Sequence, residues 1–230
     1  MVKTEVAYEK FMRWLAKGRP FTFVRFNDGE MSAIARKAKV IARKDQEVTE
    51  SLVDALVHAL GYRMAGRYWI GGPCPKCFPS LNRLFRESTS GYPSTAPATT
   101  FCNEGRWPRF IRDSFKALKD KRIVSICGKG QKMKELMELI QPKDLHIERV
   151  PDTDSFRCIE GLRRLIGLVP DGSVVLLTCG PVGRIVAQEG CERRPNVTWL
   201  DIGSAYDPLT RNVWHRCHLG TLPKCVGCNT

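Results

Sequence analysis

Between residues 122 and 202 the chain alternates β-forming runs with helix-period runs, and this alternation most restricts what it can fold into. Arg122 to Cys127 reads as a strand, Gln131 to Ile140 as a helix and Leu145 to Val150 as a strand. Ser155 to Leu168 follows as a helix with Asp154 as its N-cap. Ser173 to Cys179 is then a strand, Val182 to Gln188 a helix and Val197 to Ile202 a strand. Strands alternating with helices imply a mostly parallel sheet covered on both faces, the α/β, Rossmann-like class.

The first half is less regular. Val6, Phe11, Trp14 and Leu15 mark one face of a helix stopped by Gly18 and Pro20. Phe21 to Phe26 reads as a strand, Asn27-Asp28-Gly29 breaks it, and Glu30 to Lys37 reads as a helix. Residues 48–60 form another amphipathic helix, and Tyr68-Trp69-Ile70 a short strand. Residues 88–98 are rich in Ser, Thr, Pro and Gly and read as a loop. Thr99 to Cys102 then reads as a strand leading to Asn103, and Pro108 opens a helix to about Leu118. At 230 residues this is one domain, with an irregular tail at about 206–230.

Charge narrows the partners. The formal net charge is +13. Residues 61–122 carry 12 basic and 4 acidic side chains and half of the chain's aromatics, and read as a basic insert. That clustering points to a polyanionic partner. No apolar run approaches the roughly 18 residues of a membrane span, and the N-terminus lacks the apolar centre of a secretory signal. The expectation is a cytoplasmic protein, or one of the host cytoplasm if viral, with no membrane partner. Oligomeric state is not legible.

In open α/β sheets ligands bind outside the carboxyl ends of the strands, so polar residues just after strands are the candidates. Arg25-Phe26-Asn27-Asp28-Gly29-Glu30 places two carboxylates around a glycine. They could hold a divalent cation or supply a general base, and Arg25 could pair with a phosphate; the alternative is a helix-capping acidic turn. Cys127-Gly128-Lys129-Gly130 and Thr178-Cys179-Gly180-Pro181-Val182-Gly183-Arg184 each pass from strand through glycine to helix, suited to an anion or to an ordinary turn. Asp201, ending the last strand, could bind a ribose, a metal or an acceptor hydroxyl, or cap a turn.

The segment VRFNDGEMSAI resembles the RFGDGE signature of the GT-D fold glycosyltransferases, first described as a domain of unknown function. Phe101-Cys102-Asn103 with Trp107-Pro108-Arg109-Phe110, Arg122-Ile123-Val124 with Cys127-Gly128, and the closing Gly180-Pro181 and Asp201-Ile202-Gly203 resemble its later segments in order. The resemblance covers about residues 20–207. It implies transfer of a sugar from a nucleotide diphosphate donor, such as a UDP sugar, with Mg or Mn. It makes Asp28, Glu30 and Asp201 the catalytic candidates. Donor-binding candidates are Arg25, Asn27, Asn103, Gly128, Lys129, Gly180, Pro181 and Arg184. Two positions depart from the pattern: Asn27 replaces a glycine, and Ser204 a histidine.

Of the ten cysteines, Cys127, Cys158 and Cys179 lie in apolar runs and read as core. Cys74-Pro75-Lys76-Cys77 and Cys225-Val226-Gly227-Cys228 are two C-x-x-C knuckles that together would make a tetrahedral structural zinc site, clipping the tail to the basic stretch. His215, Cys217 and His218 offer other ligand sets. A basic, zinc-clipped, aromatic-rich stretch suits DNA, with Arg63, Arg67, Trp69, Arg106 and Trp107 as contacts and Tyr92 as a further candidate wedge. The expected acceptor is therefore a hydroxymethylated base such as 5-hydroxymethylcytosine, flipped from the duplex, a modification associated with bacteriophages. The alternatives are a glycan- or protein-directed glycosyltransferase and a non-catalytic zinc-containing nucleic-acid-binding protein.

Overall fold

The structure is a computed structural model that describes residues 2–36, 40–41, 46–101 and 107–213. The chain opens with α1 (Thr4–Ala16), β1 (Thr22–Arg25) and α2 (Asp28–Ile34). A small antiparallel pair, β2 (Val40–Ile41) and β3 (Gln46–Glu47), leads to α3 (Glu50–Gly61) and β4 (Tyr68–Gly72). Next come α4 (Pro79–Ser88), β5 (Thr95–Pro97), α5 (Trp107–Leu118), β6 (Arg122–Gly128), α6 (Met133–Ile140) and β7 (Asp144–Val150). The described chain closes with α7 (Ile159–Leu168), β8 (Val174–Thr178), α8 (Val182–Arg193), β9 (Thr198–Asp201) and the single turn α9 (Asp207–Thr210).

Seven strands form one sheet in the order β5-β4-β1-β9-β8-β6-β7, with every neighbouring pair parallel. Its central strands are apolar on both faces because helices cover both. Val24 and Phe26 pack with α3, α7 and α8, while Phe21 and Phe23 pack with α1 and α5 on the other face. Strand order reverses between β1 and β9 and again between β6 and β8. These reversals open crevices at the carboxyl ends of four strands, and they position the site.

Several sequence expectations change. Residues 61–122 are not an insert, because they contain β4 and β5, two of the seven sheet strands. β5 lies inside the Ser/Thr/Pro-rich stretch read as a loop, held by backbone pairing of Ile70 with Thr95 and Gly71 with Ala96. The strand expected at Thr99 to Cys102 is a turn over its described residues, since Thr100 bonds back to the Pro97 carbonyl through its N–H and its hydroxyl. Asp154 does not cap a helix. It has φ +47°, its carboxylate accepts the Glu47 N–H at 2.8 Å, and a 3-10 turn at Ser155–Cys158 precedes α7.

The aromatic wealth of 61–122 is largely core. Trp69 is 3% exposed and lies edge-on to Phe11 at 5.3 Å, so it cannot receive a base. The Tyr92 hydroxyl is bonded to the Tyr68 and Met64 carbonyls, so it is no flipping wedge. Arg63 donates to the Leu60, Tyr62 and Ser88 carbonyls and closes the end of α3. Arg67 is half-buried and precedes β4, and Trp107 donates to the Ala205 carbonyl at 2.7 Å. Arg106 lies outside the described residues. Arg63 and Arg67 sit at the amino ends of the strands, the five residues of β4 (roughly 15 Å) away from the carboxyl-end crevices. No described helix is long and apolar enough to cross a membrane.

Burial also sets an alkaline limit. It pushes the Tyr68 and Tyr206 phenols far up and the Cys179 thiol up to about 12, the Asp201 charge adding to the last. In the unfolded chain these groups ionise near their ordinary values of about 9 to 10. Their contribution is therefore complete below about pH 9 and lost as pH rises toward the folded values. Thermal midpoints by circular dichroism should hold to pH 8.5 and fall steadily from pH 9 to 11.5; a flat profile would contradict the burial.

Candidate functional site

A cavity of about 380 Å³ opens at the carboxyl ends of β1, β6, β8 and β9. Its wall joins the ends of β1 and β8, the glycine turn after β6, and the chain from Gly203 to Val213. Arg184, on the first turn of α8, is the hub, although it is only 5% exposed. Its guanidinium pairs with Glu30 at 3.1 Å and with Asp201 at 3.1 Å. It also donates to the Arg25 carbonyl at 2.7 Å and to the Gly180 carbonyl. Gly180 has φ +69°, and with Pro181 at the N-cap it turns the chain from β8 into α8.

Asp201, 1% exposed, ties β9 to β1. One oxygen accepts the Arg25 N–H at 3.0 Å and the other the Gly203 N–H at 3.1 Å, while the Arg25 side chain lies 3.5 Å away. Asp201 is thus a positioning residue held by two arginines and two amides. Of the roles the sequence left open for Asp201, the turn at Gly203 is the one it makes here; it is buried and does not itself line the cavity.

Glu30, 6% exposed, spends one oxygen on Arg184 and the other on the Asn27 N–H at 3.1 Å, closing the start of α2. Asp28, the first residue of α2, is exposed and does not line the cavity. Acid-x-acid spacing therefore splits the pair, because one helix residue faces the sheet while its neighbour two positions earlier faces water. The pair does not fit as a two-carboxylate cation cradle. Among the described residues no group of three or more His, Cys, Asp or Glu side chains gathers as a metal site.

The glycine turn after β6 differs from an open anion cradle. The Gly130 N–H donates to Asp152 at 2.9 Å, and Asp152 pairs with Arg211 at 2.7 Å. A Cβ on Gly128 would lie 2.2 Å from the Asp152 carboxylate, which explains the glycine. Lys129 is exposed and off the cavity wall. Gln131 bridges Thr178, at 2.6 Å, to Asp207, at 3.3 Å. Cys179 lines the cavity, but its raised thiol stays protonated near neutral pH and is no nucleophile.

The structure therefore gathers Arg25, Glu30, Gly128, Gly180, Pro181 and Arg184 at one cavity, with Asp201 behind its wall. Asp28, Lys129 and Asn27 stand outside it, and Asn103 lies outside the described residues. Gln131, Asp152, Ser155, Asp207 and Arg211 were missed. Asp152 carried a usable signal, a polar residue just beyond the end of β7, whereas Asp207 and Arg211 fall where the sequence has no period.

No family model matches the chain, and no curated protein matches it. Three solved structures share its fold. One is a selenomethionine-substituted domain of unknown function 1792, with a TM-score of 0.69 and 13% identity over 87% of this chain and 79% of that one. Another is described as a new glycosyltransferase of that domain type from Streptococcus sanguinis, with a TM-score of 0.67 and 15% identity over 91% of this chain and 85% of the other. The third is described as showing that this domain has a distinct glycosyltransferase fold, with a TM-score of 0.65, 14% identity and coverage of 87% and 79%. The seven-stranded parallel sheet is thus the GT-D fold expected from the sequence motifs.

Proposed function

We propose that the chain is a glycosyltransferase that binds a nucleotide diphosphate sugar in the carboxyl-end cavity and passes the sugar to a hydroxyl acceptor. The observation that carries this reading is the pair of buried arginines, Arg25 and Arg184, on the wall of that cavity in a fold shared with a glycosyltransferase. As the sugar leaves, negative charge gathers on the diphosphate. Guanidinium groups held in place by Glu30 and Asp201 can stabilise such charge without having to reorganise, the two carboxylates offsetting part of their attraction. Arg211, on the same wall, adds a third cation, now held by Asp152. Because Asp28 and Glu30 do not form a cradle, no step is assigned to a divalent cation.

The test is incubation with a panel of nucleotide sugars and three acceptor arms, followed by mass spectrometry. The arms are duplex DNA with and without 5-hydroxymethylcytosine, a glycan mixture and a hydroxyl-bearing peptide library. Free nucleotide diphosphate together with sugar mass on one arm is the expected result. Gain on the hydroxymethylated duplex alone supports the DNA-base acceptor, and gain on glycan or peptide alone rejects it. A chain that releases no nucleotide diphosphate from any donor is a binder, and the enzyme reading is wrong.

Cys74 and Cys77 are half-buried in the turn between β4 and α4. We read them as two thiolates of a Cys₄ zinc site whose other members, Cys225 and Cys228, lie outside the described residues, as do His215, Cys217 and His218. Such a site would hold zinc structurally, with no open position for chemistry. Purified protein should carry about one zinc per chain, and Cys74→Ser with Cys225→Ser should remove it. Zinc-free protein, or zinc unchanged in the double variant, would reject this ligand set.

A further inference from the structure

At the opposite end of the sheet from the cavity, α1, the turn before β1 and the turn before β4 enclose a shallow, open depression of about 440 Å³. Lys10, Arg13, Arg19, Val6, Trp14 and Gly66 form it. Among the described residues no carboxylate lies within ion-pairing distance of Lys10, Arg13 or Arg19. The Lys10 ammonium sits 4.9 Å from the Trp14 ring and 4.4 Å from the Trp69 ring, and the Arg19 guanidinium lies 4.5 Å over Trp14. Packing of Lys10 against the indoles, and then the charges of Arg19 and Arg13, lower its pKa. The three cations thus repel one another, with no acid among the described residues to offset them.

Several other surface arginines are paired with acids. Arg109 meets Glu5, Glu9 and Asp113; Arg163 meets Glu160 and Glu189; Arg194 meets Asp171. What distinguishes this place is its floor: Lys10 and Arg19 lie over buried indoles, with Arg13 lining the same depression. Its openness suits an extended ligand running across it better than a small molecule enclosed by it. The net charge of +13 supplies long-range attraction for a polyanion.

We propose that Lys10, Arg13 and Arg19 form a docking site for the phosphodiester backbone of nucleic acid, separate from the carboxyl-end cavity. The cations contact phosphates and carry no base preference, so docking is blind to sequence and to base modification. The site stands whether or not the cavity transfers sugar.

The experiment is fluorescence anisotropy of a labelled 20-base-pair duplex against the full chain over a series of salt concentrations. The variants are Lys10→Glu with Arg13→Glu and Arg19→Glu, and the milder Gln triple, in case the first fails to fold. A control reverses three other exposed cations, Lys134, Lys143 and Arg164, and so matches the change in net charge. The wild type should bind with steep salt dependence, because neutralised phosphates release counterions. Either triple should weaken binding at least about tenfold, and the log-log salt slope should drop by about two to three for three lost phosphate contacts. The control should stay within about threefold, and release of nucleotide diphosphate should be unchanged in the triples. A wild type that ignores the duplex overturns the proposal, even if it binds anionic vesicles. So does a triple that binds like the wild type, or no worse than the control.

Discussion

Arg184→Met should cost the fold about 3–5 kcal/mol, the range seen when one partner of a buried ion pair is removed. The cause is specific. Glu30 and Asp201 are both buried, and each loses a guanidinium partner at 3.1 Å. The Arg25 and Gly180 carbonyls lose their donor as well. For a domain of this size the thermal midpoint should fall by roughly 6 to 20 °C. Arg184→Lys should recover part of this, because it keeps the charge but not the fork that reaches both acids. Adding Glu30→Gln to Arg184→Met should cost less than the sum of the single changes, since it removes one stranded carboxylate. Additive costs in that double variant would show that the two side chains are not coupled.

Gly203→Ala should disable the site more selectively. Gly203 has φ +48°, and a Cβ there would lie 1.4 Å from an Arg25 terminal nitrogen. The left-handed backbone alone costs an alanine roughly 1–2 kcal/mol. The larger effect is displacement of the Arg25 guanidinium from its place beside Asp201. Donor affinity or turnover should drop at least about tenfold, beyond the loss of stability. Gly91→Ala is the control: it has φ +73° with no atom within 4 Å of the added carbon, so it carries strain without displacement. Equal losses of function in the two variants would mean that strain, not Arg25, is responsible.

These two variants also show which parts of the molecule the sequence discloses. β6, β8 and β9 are apolar runs bounded by glycine or polar turns, and local pattern suffices to find them. β5 is a Thr-Ala-Pro strand in a turn-rich stretch, and only pairing with β4 makes it a strand. The site divides in the same way. Arg25, Glu30, Arg184 and Asp201 follow strand ends or glycine turns, so their positions were legible. Their roles were not, because Arg184 meets Glu30 and Asp201 only once α2, α8 and β9 are packed together. Trp69 misled for a related reason: aromatic content alone does not separate a stacking surface from a core, and α1 decides it by covering β4. Asp152 and Arg211 come from opposite ends of the second half and meet over Gly128, a closeness no spacing rule reports.

The most direct measurement is calorimetric titration of the full chain with nucleoside diphosphates and their sugar conjugates, alongside Arg25→Met and Gly203→Ala. The account predicts one-to-one binding of at least one nucleotide diphosphate sugar, weakened at least tenfold in both variants, each shown by circular dichroism to be folded at the titration temperature. Binding of no nucleotide diphosphate, or full-strength binding by both variants, would contradict the claim that the carboxyl-end cavity is a donor site.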